Sequence, residues 1–147
     1  MNTLSFNTSL GWITVSEENN CIISVKFARN KNKGKKEVLL KVKKQIIEYT
    51  KGLRKKFSVK LDIEGSQLQK KIWKQLSNIS YGTTTTYGDI AKSLGTSPRY
   101  VGNVCGQNNH LLVVPCHRVI RSDGSLGGFS GLGGIKLKKK LLQLEKE

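Results

Sequence analysis

The chain has 147 residues, 37% of them hydrophobic, which is enough for one ordinary domain or for a small domain joined to a minimal one. Its 26 Lys and Arg against 10 Asp and Glu give a net charge of +16, which favours a nucleic-acid partner over a solubilising surface or the lysine enrichment of heat-adapted proteins. The longest apolar run, residues 111–114, is too short to span a membrane and residues 1–10 lack a signal-peptide pattern, so we expect a cytoplasmic protein without a membrane partner.

The first part of the chain has the pattern of a small α/β domain, with a small sheet and one helix, which we place at residues 1–62. Two short apolar runs flank a polar turn at residues 17–20, as in a β-hairpin. A helical repeat then ends near Gly52, and a short alternating run follows. The predicted elements are strands at 12–15, 21–27 and 59–63 and a helix at 38–50.

A lysine cluster, KNKGKK at residues 31–36, separates the hairpin from the helix. Such a run is more often a solvated loop than a binding arm, because like charges repel one another and favour hydration. The sequence alone therefore favours a solvated loop.

Residues 63–147 have a mainly helical pattern and form the second predicted domain. Ser66 is a suitable N-cap for a helix in which apolar residues recur at Leu68, Ile72, Leu76 and Ile79. A short helix is predicted at residues 87–94. After the Gly95-Thr96 turn, Ser97 and Pro98 begin another, which extends to about Gln107. Two short helices around a glycine turn are a helix-turn-helix arrangement, which occurs both in DNA-binding domains and elsewhere.

The second of these helices has an unusual stripe without side-chain bulk, formed by Pro98, Gly102 and Gly106 at a spacing of four. Each glycine costs a helix about 1 kcal/mol relative to alanine, so a close approach of another surface is indicated. That surface is either a nucleic acid or another helix, and the sequence does not distinguish them. Polar and aromatic residues flank the stripe: Arg99, Tyr100 and Asn103.

The stretch VVPCHRVI places a thiol, an imidazole and a guanidinium in succession. Residues 111–114 are predicted to be a buried strand, so Cys116 and His117 would lie just beyond its end. A glycine-rich loop follows at 121–134, and then a basic helix at 135–145. Adjacent residues of an extended chain point in opposite directions, so His117 needs a water or a turn to act on Cys116. The residues alone leave open whether Cys116 is a nucleophile or a packing residue.

The other chemistry-bearing residues exclude two kinds of site. Cys21, Cys105 and Cys116 are an odd set without regular spacing, which argues against a disulfide framework. There is no CxxC motif and there are only two histidines, His110 and His117, so we predict no metal site.

The motifs PCHRVI, TYGDIA, GGFSG and LLQLE together resemble those of the O6-alkylguanine-DNA alkyltransferases, the methylated-DNA–protein-cysteine methyltransferases. The resemblance is strong over residues 66–145, whereas the N-terminal part is similar only in size and strand order. It implies a winged-helix-like helix-turn-helix domain. It also implies a single, irreversible transfer of an alkyl group from O6-alkylguanine in duplex DNA to the protein, without cofactor or metal, by a monomer that can be cooperative on DNA.

The resemblance assigns the catalytic roles residue by residue. Cys116 matches the alkyl acceptor, and His117 the base that deprotonates it through a water. Glu145 matches the carboxylate that orients the histidine, and Asn108 the hinge between the recognition helix and the active-site turn. Tyr87 matches the tyrosine that presses on the DNA phosphate and donates to N3 of the flipped guanine.

The same resemblance implies a set of DNA and substrate contacts. Arg99 matches the arginine that fills the gap left by the flipped base, and the backbone carbonyl of Val119 an acceptor for the guanine amino group. Phe129 matches a pocket wall and Ser130 a donor to the substrate oxygen. The remaining contacts would come from the recognition helix: Tyr100, Gly102 and Asn103.

This chain departs from the family pattern at several positions. Tyr100 replaces a small residue, Asn109 replaces a proline, and Cys105, which we expect to be a packing residue, replaces an apolar one. We expect His110 to be a solvated turn residue, and the sequence leaves open whether Lys136 or Lys138 takes the family's tail-lysine position.

Two other functions remain open from the residues. One is a non-catalytic sensor of alkyl damage, although such relatives lack the cysteine. The other is a transcriptional regulator, although a helix with two glycines has few side chains with which to read bases.

Overall fold

The structure, a computed structural model, describes residues 1–127 and 134–147, and these fall into two units. The first comprises Met1–Ile63 with Asn109–Val113 and Glu147, and the second comprises Glu64–Asn108 with Val114–Lys146. In the described part of the chain there are a three-stranded antiparallel sheet and five α-helices. None of the described helices is both long and apolar enough to cross a membrane.

The sheet of the first unit is a meander of β1 (Asn2–Thr8), β2 (Gly11–Glu18) and β3 (Cys21–Lys26). Asn19 and Asn20 join β2 to β3 at φ values of 52° and 62°, the left-handed conformation that a tight hairpin turn requires. The sequence pattern predicts the second and third strands but not β1. The reason is that NTLSFNT carries only two apolar side chains, so its alternation is weak.

Helix α1 (Glu37–Thr50) covers one face of the sheet, in agreement with the prediction at 38–50. Its buried side includes Val42 and Ile46, and the ammonium of Lys43 lies 5.9 Å from the ring of Phe6. Cross-strand partners share a face, and the sheet pairs Phe6 with Ile13 and Ser5 with Thr14. The face opposite α1 is therefore the polar one.

Two strand predictions in this unit are wrong. Residues 59–63 form no strand but a single parallel bridge between Leu61 and Ile22. Residues 111–114 form a turn in which Leu112 has a φ of 72°. Four consecutive apolar residues indicate that the segment is buried, but they do not distinguish a strand from a buried turn. In this segment the turn is formed.

The expectation that His110 is a solvated turn residue is also wrong. Its side chain is 5% exposed, and Nε2 lies 2.9 Å from the carbonyl oxygen of Ile22. Backbone bonds from Val25 to Asn109 and from Leu111 to Val25 fix this segment beside β3. Burial lowers the pKa of His110.

In the second unit the predicted helices are present and their caps are those that the sequence indicates. The helices are α2 (Gln67–Ser77), α3 (Tyr87–Leu94), α4 (Pro98–Gly106) and α5 (Gly134–Lys146). Ser66 and Gln69 form a capping box on α2, and Ser97 caps α4, whose first residue is proline. Gly95 ends α3 at a φ of 69°, where a residue with a side chain would be strained.

A two-residue parallel pair, which the sequence did not indicate, joins distant parts of this unit. β4 (Thr85–Thr86) pairs with β5 (Val119–Ile120). Cys116–Arg118, a single turn of 3-10 helix, comes directly before β5, and α3 begins directly after β4. The short pair therefore fixes the start of α3 beside the residues that follow Cys116.

Candidate active site

Cys116 is the first residue of the 3-10 turn and its side chain is almost fully enclosed, with 4% of the residue exposed. The side-chain amide of Asn108 donates to Sγ of Cys116 at 3.2 Å and to the carbonyl of Val114 at 2.8 Å. Burial raises the pKa of the Cys116 thiol, and the Asn108 donor acts in the opposite direction because it stabilises a thiolate. Asn108 thus connects the residues after α4 to the turn that carries the thiol.

Behind the thiol lies a buried cluster of charged and titratable groups. Nε2 of His117 is 2.6 Å from Oε2 of Glu145, and the guanidinium of Arg118 binds both oxygens of that carboxylate, at 2.8 and 3.1 Å. Arg118 also donates to the carbonyl of Ile79 at 2.7 Å, and the backbone N–H of Gly82 donates to Glu145 at 3.2 Å. Arg118 therefore supplies the counter-charge for the buried Glu145.

The same cluster determines the state of the imidazole. Burial lowers the pKa of His117, while the hydrogen bond and charge of Glu145 act to raise it. A neutral imidazole beside a carboxylate carries its proton on the nitrogen that faces the carboxylate, which here is Nε2. Nδ1 is then the basic nitrogen. Since Cys116 and His117 belong to a 3-10 turn and not to a strand, the alternation expected of an extended chain does not apply to them.

Arg118 is a residue of this cluster that the sequence motifs do not assign to the site. It is 6% exposed, and its guanidinium carbon lies 5.7 Å from the centre of the Tyr81 ring. The sequence offers one indirect indication of this role: Arg118 is next to the site histidine, and a buried arginine is almost always paired with a carboxylate. Residues 114–147 contain only Asp123, Glu145 and Glu147 as acids, and Glu145 was already assigned to the histidine.

We expect Arg118→Lys to lower the free energy of unfolding by about 1.5–3 kcal/mol, because a single ammonium cannot reproduce the two-pronged contact with Glu145. Urea unfolding of the variant and of Arg121→Lys, an exposed arginine three residues further on, measures the difference. Equal midpoints for the two variants would contradict the structural role of the guanidinium.

In front of the thiol lies a cavity of about 620 Å³. The stripe predicted on α4 forms one wall of it. A Cβ placed on Gly106 would meet no described atom within 4 Å, and one on Gly102 would only reach the Tyr87 ring at 4.0 Å. Among the described residues, therefore, these glycines face open space and not another helix. The lining residues are Tyr87, Gly88, Pro98, Arg99, Gly102, Cys105, Gly106, Cys116, Arg121, Ser122 and Gly127.

Tyr87 lies at the start of α3, half-buried against this cavity. The ammonium of Lys138 donates to its hydroxyl at 3.2 Å and also to the carbonyl of Leu126. A Cβ on Gly127, which has a φ of 73°, would lie 3.0 Å from the Tyr87 ring and hydroxyl, so a glycine is needed for this contact. Burial raises the pKa of Tyr87 to about 12, which keeps the hydroxyl protonated.

The structure distinguishes the two candidate tail lysines. Lys138 is fully buried, whereas Lys136 is exposed. Burial lowers the pKa of Lys138. Lys138 contacts the predicted site residue Tyr87, and the described contacts include none between Lys136 and a predicted site residue.

Cys105 is a second thiol in the cavity wall, 7% exposed. Burial, and then the neighbouring Cys116, raise the pKa of Cys105 to about 12. It is a neutral thiol at ordinary pH, which agrees with its interpretation as a packing residue.

The predicted substrate-binding residues have different positions. Arg99 and Gly102 line the cavity, whereas Tyr100 and Asn103 lie elsewhere on α4. Val119 is fully buried in β5. Phe129 and Ser130 lie outside the described residues. Within residues 1–127 and 134–147, no cluster of three or more His, Cys, Asp or Glu side chains could hold a metal ion.

The site combines an enclosed thiol, a charged cluster that includes the neighbouring imidazole, and an open cavity. This combination defines a protein that uses a cysteine as its reactive group. Residues 67–147 match the family model of the 6-O-methylguanine DNA methyltransferase, DNA binding domain. The chain belongs to this family.

Relatives and solved structures extend the similarity over nearly the whole chain. The methylated-DNA–protein-cysteine methyltransferase of Methanosarcina acetivorans is 35% identical over 150 residues, which cover 95% of each chain. That of Sulfolobus acidocaldarius is 36% identical over 142 residues, covering 95% of this chain and 90% of the relative. The crystal structure of Mycobacterium tuberculosis OGT in complex with DNA matches with a TM-score of 0.87 at 33% identity, covering 98% of this chain and 92% of the other. The resemblance therefore includes the N-terminal part.

Proposed function

We propose that this protein repairs DNA by transferring an alkyl group from O6-alkylguanine to Sγ of Cys116, once per molecule. The observation that carries the proposal is the position of Cys116, enclosed at the cavity and directly beside the buried His117–Glu145 pair. The direct test is mass spectrometry of the peptide that contains Cys116 after incubation with a duplex holding one O6-methylguanine.

The proposed reaction is a single displacement. His117 accepts the Cys116 proton at Nδ1 through a water, and Glu145 stabilises the resulting imidazolium. The thiolate attacks the alkyl carbon, an S–C bond forms, and the bond between that carbon and O6 breaks. The electron pair stays on the guanine, where the protonated hydroxyl of Tyr87 donates a hydrogen bond. The thioether product is stable, so no step regenerates the thiol.

The target base is inside a duplex and must leave the stack before it can enter the cavity. We propose that α3 and α4 form a winged-helix-like helix-turn-helix unit and that the glycine stripe of α4 approaches a DNA groove closely. Arg99 would fill the space left by the base, and Tyr100 and Asn103 would contact the duplex beside it. Inside the cavity, the base would meet the remaining predicted contacts: the Val119 carbonyl, Phe129 and Ser130.

The similarity to Mycobacterium tuberculosis OGT, whose crystal structure is a complex with DNA, and the net charge of +16 support duplex DNA as the partner. We further propose that residues 1–62 and 63–147 act as two domains of a monomer, which can be cooperative on DNA. We also propose that the protein is located in the cytoplasm, where it is associated with DNA. The reaction as written needs no cofactor or metal.

A damage sensor that binds the lesion without chemistry is the other function to consider. Such a protein does not need a thiol in the cavity, a donor to that thiol or a base beside it. Cys116, Asn108 and His117 supply all three, and this supports transfer over sensing.

We expect substitutions at Gly106 to separate folding from DNA binding. In Gly106→Leu the new side chain meets no described atom of the protein at its Cβ, so the unfolding midpoint should not fall. Affinity for duplex should fall about tenfold or more, equivalent to about 1.4 kcal/mol, because bulk on the stripe keeps the helix away from the groove. Fluorescence anisotropy with a labelled duplex measures this.

Gly106→Ala provides a graded control, since it adds one methyl group and raises helix propensity by up to about 1 kcal/mol. Its affinity should lie between those of the wild type and Gly106→Leu. Unchanged affinity in the leucine variant would show that the stripe does not face the DNA.

A further inference from the structure

The chain that leaves β3 carries an unusual density of positive charge. Residues 26–36, KFARNKNKGKK, contain six cations and no acid. Residues 1–63 as a whole contain 14 Lys and Arg against five Asp and Glu, a net charge of +9, although every predicted active-site residue lies after Ile63. The alkyl-transfer site therefore does not account for this charge.

The cationic segment is not a loose loop, because it is attached to the sheet at several points. The backbone of Lys33 forms two hydrogen bonds of 2.8 Å with Thr3 on the outer edge of β1. The side chain of Asn32 accepts from the backbone N–H of Ser5 at 2.8 Å, and Thr14 donates to the carbonyl of Ala28 at 2.8 Å. Because the backbone is already ordered, binding a ligand here costs less conformational entropy than it would for a flexible arm.

Between this segment and the sheet lies a groove of about 500 Å³. It opens on the polar face of the sheet, opposite α1, where Ser5 lies. Its described lining is Ser5, Trp12, Arg29, Asn30, Lys31 and Asn32, which contains two cations, two amides and an aromatic ring but no acid.

Trp12 orients the guanidinium in this groove. The central carbon of Arg29 lies 4.3 Å from the centre of the indole ring, within the range of a cation–π contact. Arg29 is nevertheless exposed, so its N–H groups can reach a ligand. The contact with the indole ring restrains the guanidinium, whose planar set of N–H donors suits the oxygens of a phosphate group.

We propose that this groove, together with Lys33, binds the phosphodiester backbone of duplex DNA at a second site, separate from the cavity of Cys116. The chemistry of the ligand follows from the lining, because guanidinium, ammonium and amide donors without an acid fit phosphate oxygens. A second copy of the chain is a poor occupant, since its net charge of +16 would repel the groove. The inference rests on the proposed function only for the choice of DNA as the polyanion.

The test is the salt dependence of binding to an unmodified duplex, measured by anisotropy on the full chain. The variant Arg29→Gln/Lys31→Gln/Lys33→Gln removes the two cations that line the groove and the adjacent Lys33. The slope of log K against log salt should become less steep by about 2–3, at about 0.9 for each DNA phosphate that the variant no longer neutralises. The matched control Lys41→Gln/Lys44→Gln/Lys51→Gln removes the same charge from exposed positions in and just after α1, and its slope should change by less than about 1.

Two further readouts complete the test. Alkyl transfer to Cys116 at saturating lesion duplex should proceed equally fast in both triple variants. Loss of the groove would therefore change the salt dependence only, whereas failure of the transferase proposal would be seen as absence of transfer in every variant. Saturating duplex should change the tryptophan fluorescence of the wild type, and Trp12→Phe should remove most of that change, because the other tryptophan, Trp73, is buried. Equal slopes for the two triple variants would overturn the proposal. So would equally tight, groove-dependent binding of poly-glutamate, which would indicate an acidic protein as the ligand.

Discussion

Wild-type protein incubated with a duplex that holds one O6-methylguanine should gain the mass of one methyl group on the peptide containing Cys116, and Cys116→Ser should gain none. The thiol is the group that the site prepares for attack, since Asn108 donates to Sγ at 3.2 Å and His117 is the neighbouring base. A serine hydroxyl is far less acidic and less nucleophilic than a thiol, so the loss should be complete. Intact and peptide mass spectrometry measure it directly.

Cys105→Ser is the matched control, because Cys105 lines the same cavity but has neither of these neighbours among its described contacts. Its burial raises the pKa to about 12 and keeps the thiol protonated. This variant should still gain one methyl group on Cys116. A methyl group on Cys105 in the wild type, or lesion-specific binding without any gain of mass, would contradict the proposed reaction.

Replacing Glu145 by glutamine should have two large effects. The rate constant of alkyl transfer should fall by about 10²–10⁴, because the carboxylate no longer stabilises a protonated His117. The free energy of unfolding should fall by about 3 kcal/mol, because the buried Arg118 loses its counter-charge. Single-turnover transfer with excess protein measures the first effect, and urea unfolding measures the second.

Glu147→Gln is the control for this change, since Glu147 is an exposed carboxylate two residues further on. It should leave both quantities unchanged. Transfer is to be compared at a temperature well below both unfolding midpoints, so that a smaller folded fraction does not imitate a slower reaction. A transfer rate within a factor of a few of the wild type would exclude Glu145 from the proton relay.

The parts of the fold that the sequence predicted are those with local causes. Ser66, Ser97 and Gly95 act on their own helix ends through contacts a few residues away, and the predicted helices accordingly agree with the structure. The missed or wrong elements depend on distant partners. β1 has little apolar signal of its own, and the segment that includes His110 is placed by bonds to β3.

The residues of the candidate site also divide into those that the sequence predicts and those that depend on distant contacts. The order Cys116-His117 is visible in the sequence, and the family motifs led to Glu145 and Asn108, which the structure places in contact with these two residues. Arg118 was not assigned because its sequence position does not show that it is buried, and it meets Glu145 only where α5 brings that carboxylate to the 3-10 turn. For the tail lysine, spacing could not separate Lys136 from Lys138, because the choice depends on which of them α5 buries.

The attachment of Asn109–Val113 to the first unit has a consequence for synthesis. Val25 on β3 pairs with Asn109 and Leu111, so the edge of that strand cannot be completed until more than eighty further residues have been made. At the usual 5–20 residues per second, the ribosome needs on the order of 5–15 seconds to supply them. During that interval the part of the β3 edge at Val25 stays unpaired, and the high positive charge of the chain opposes its pairing with the edge of another copy.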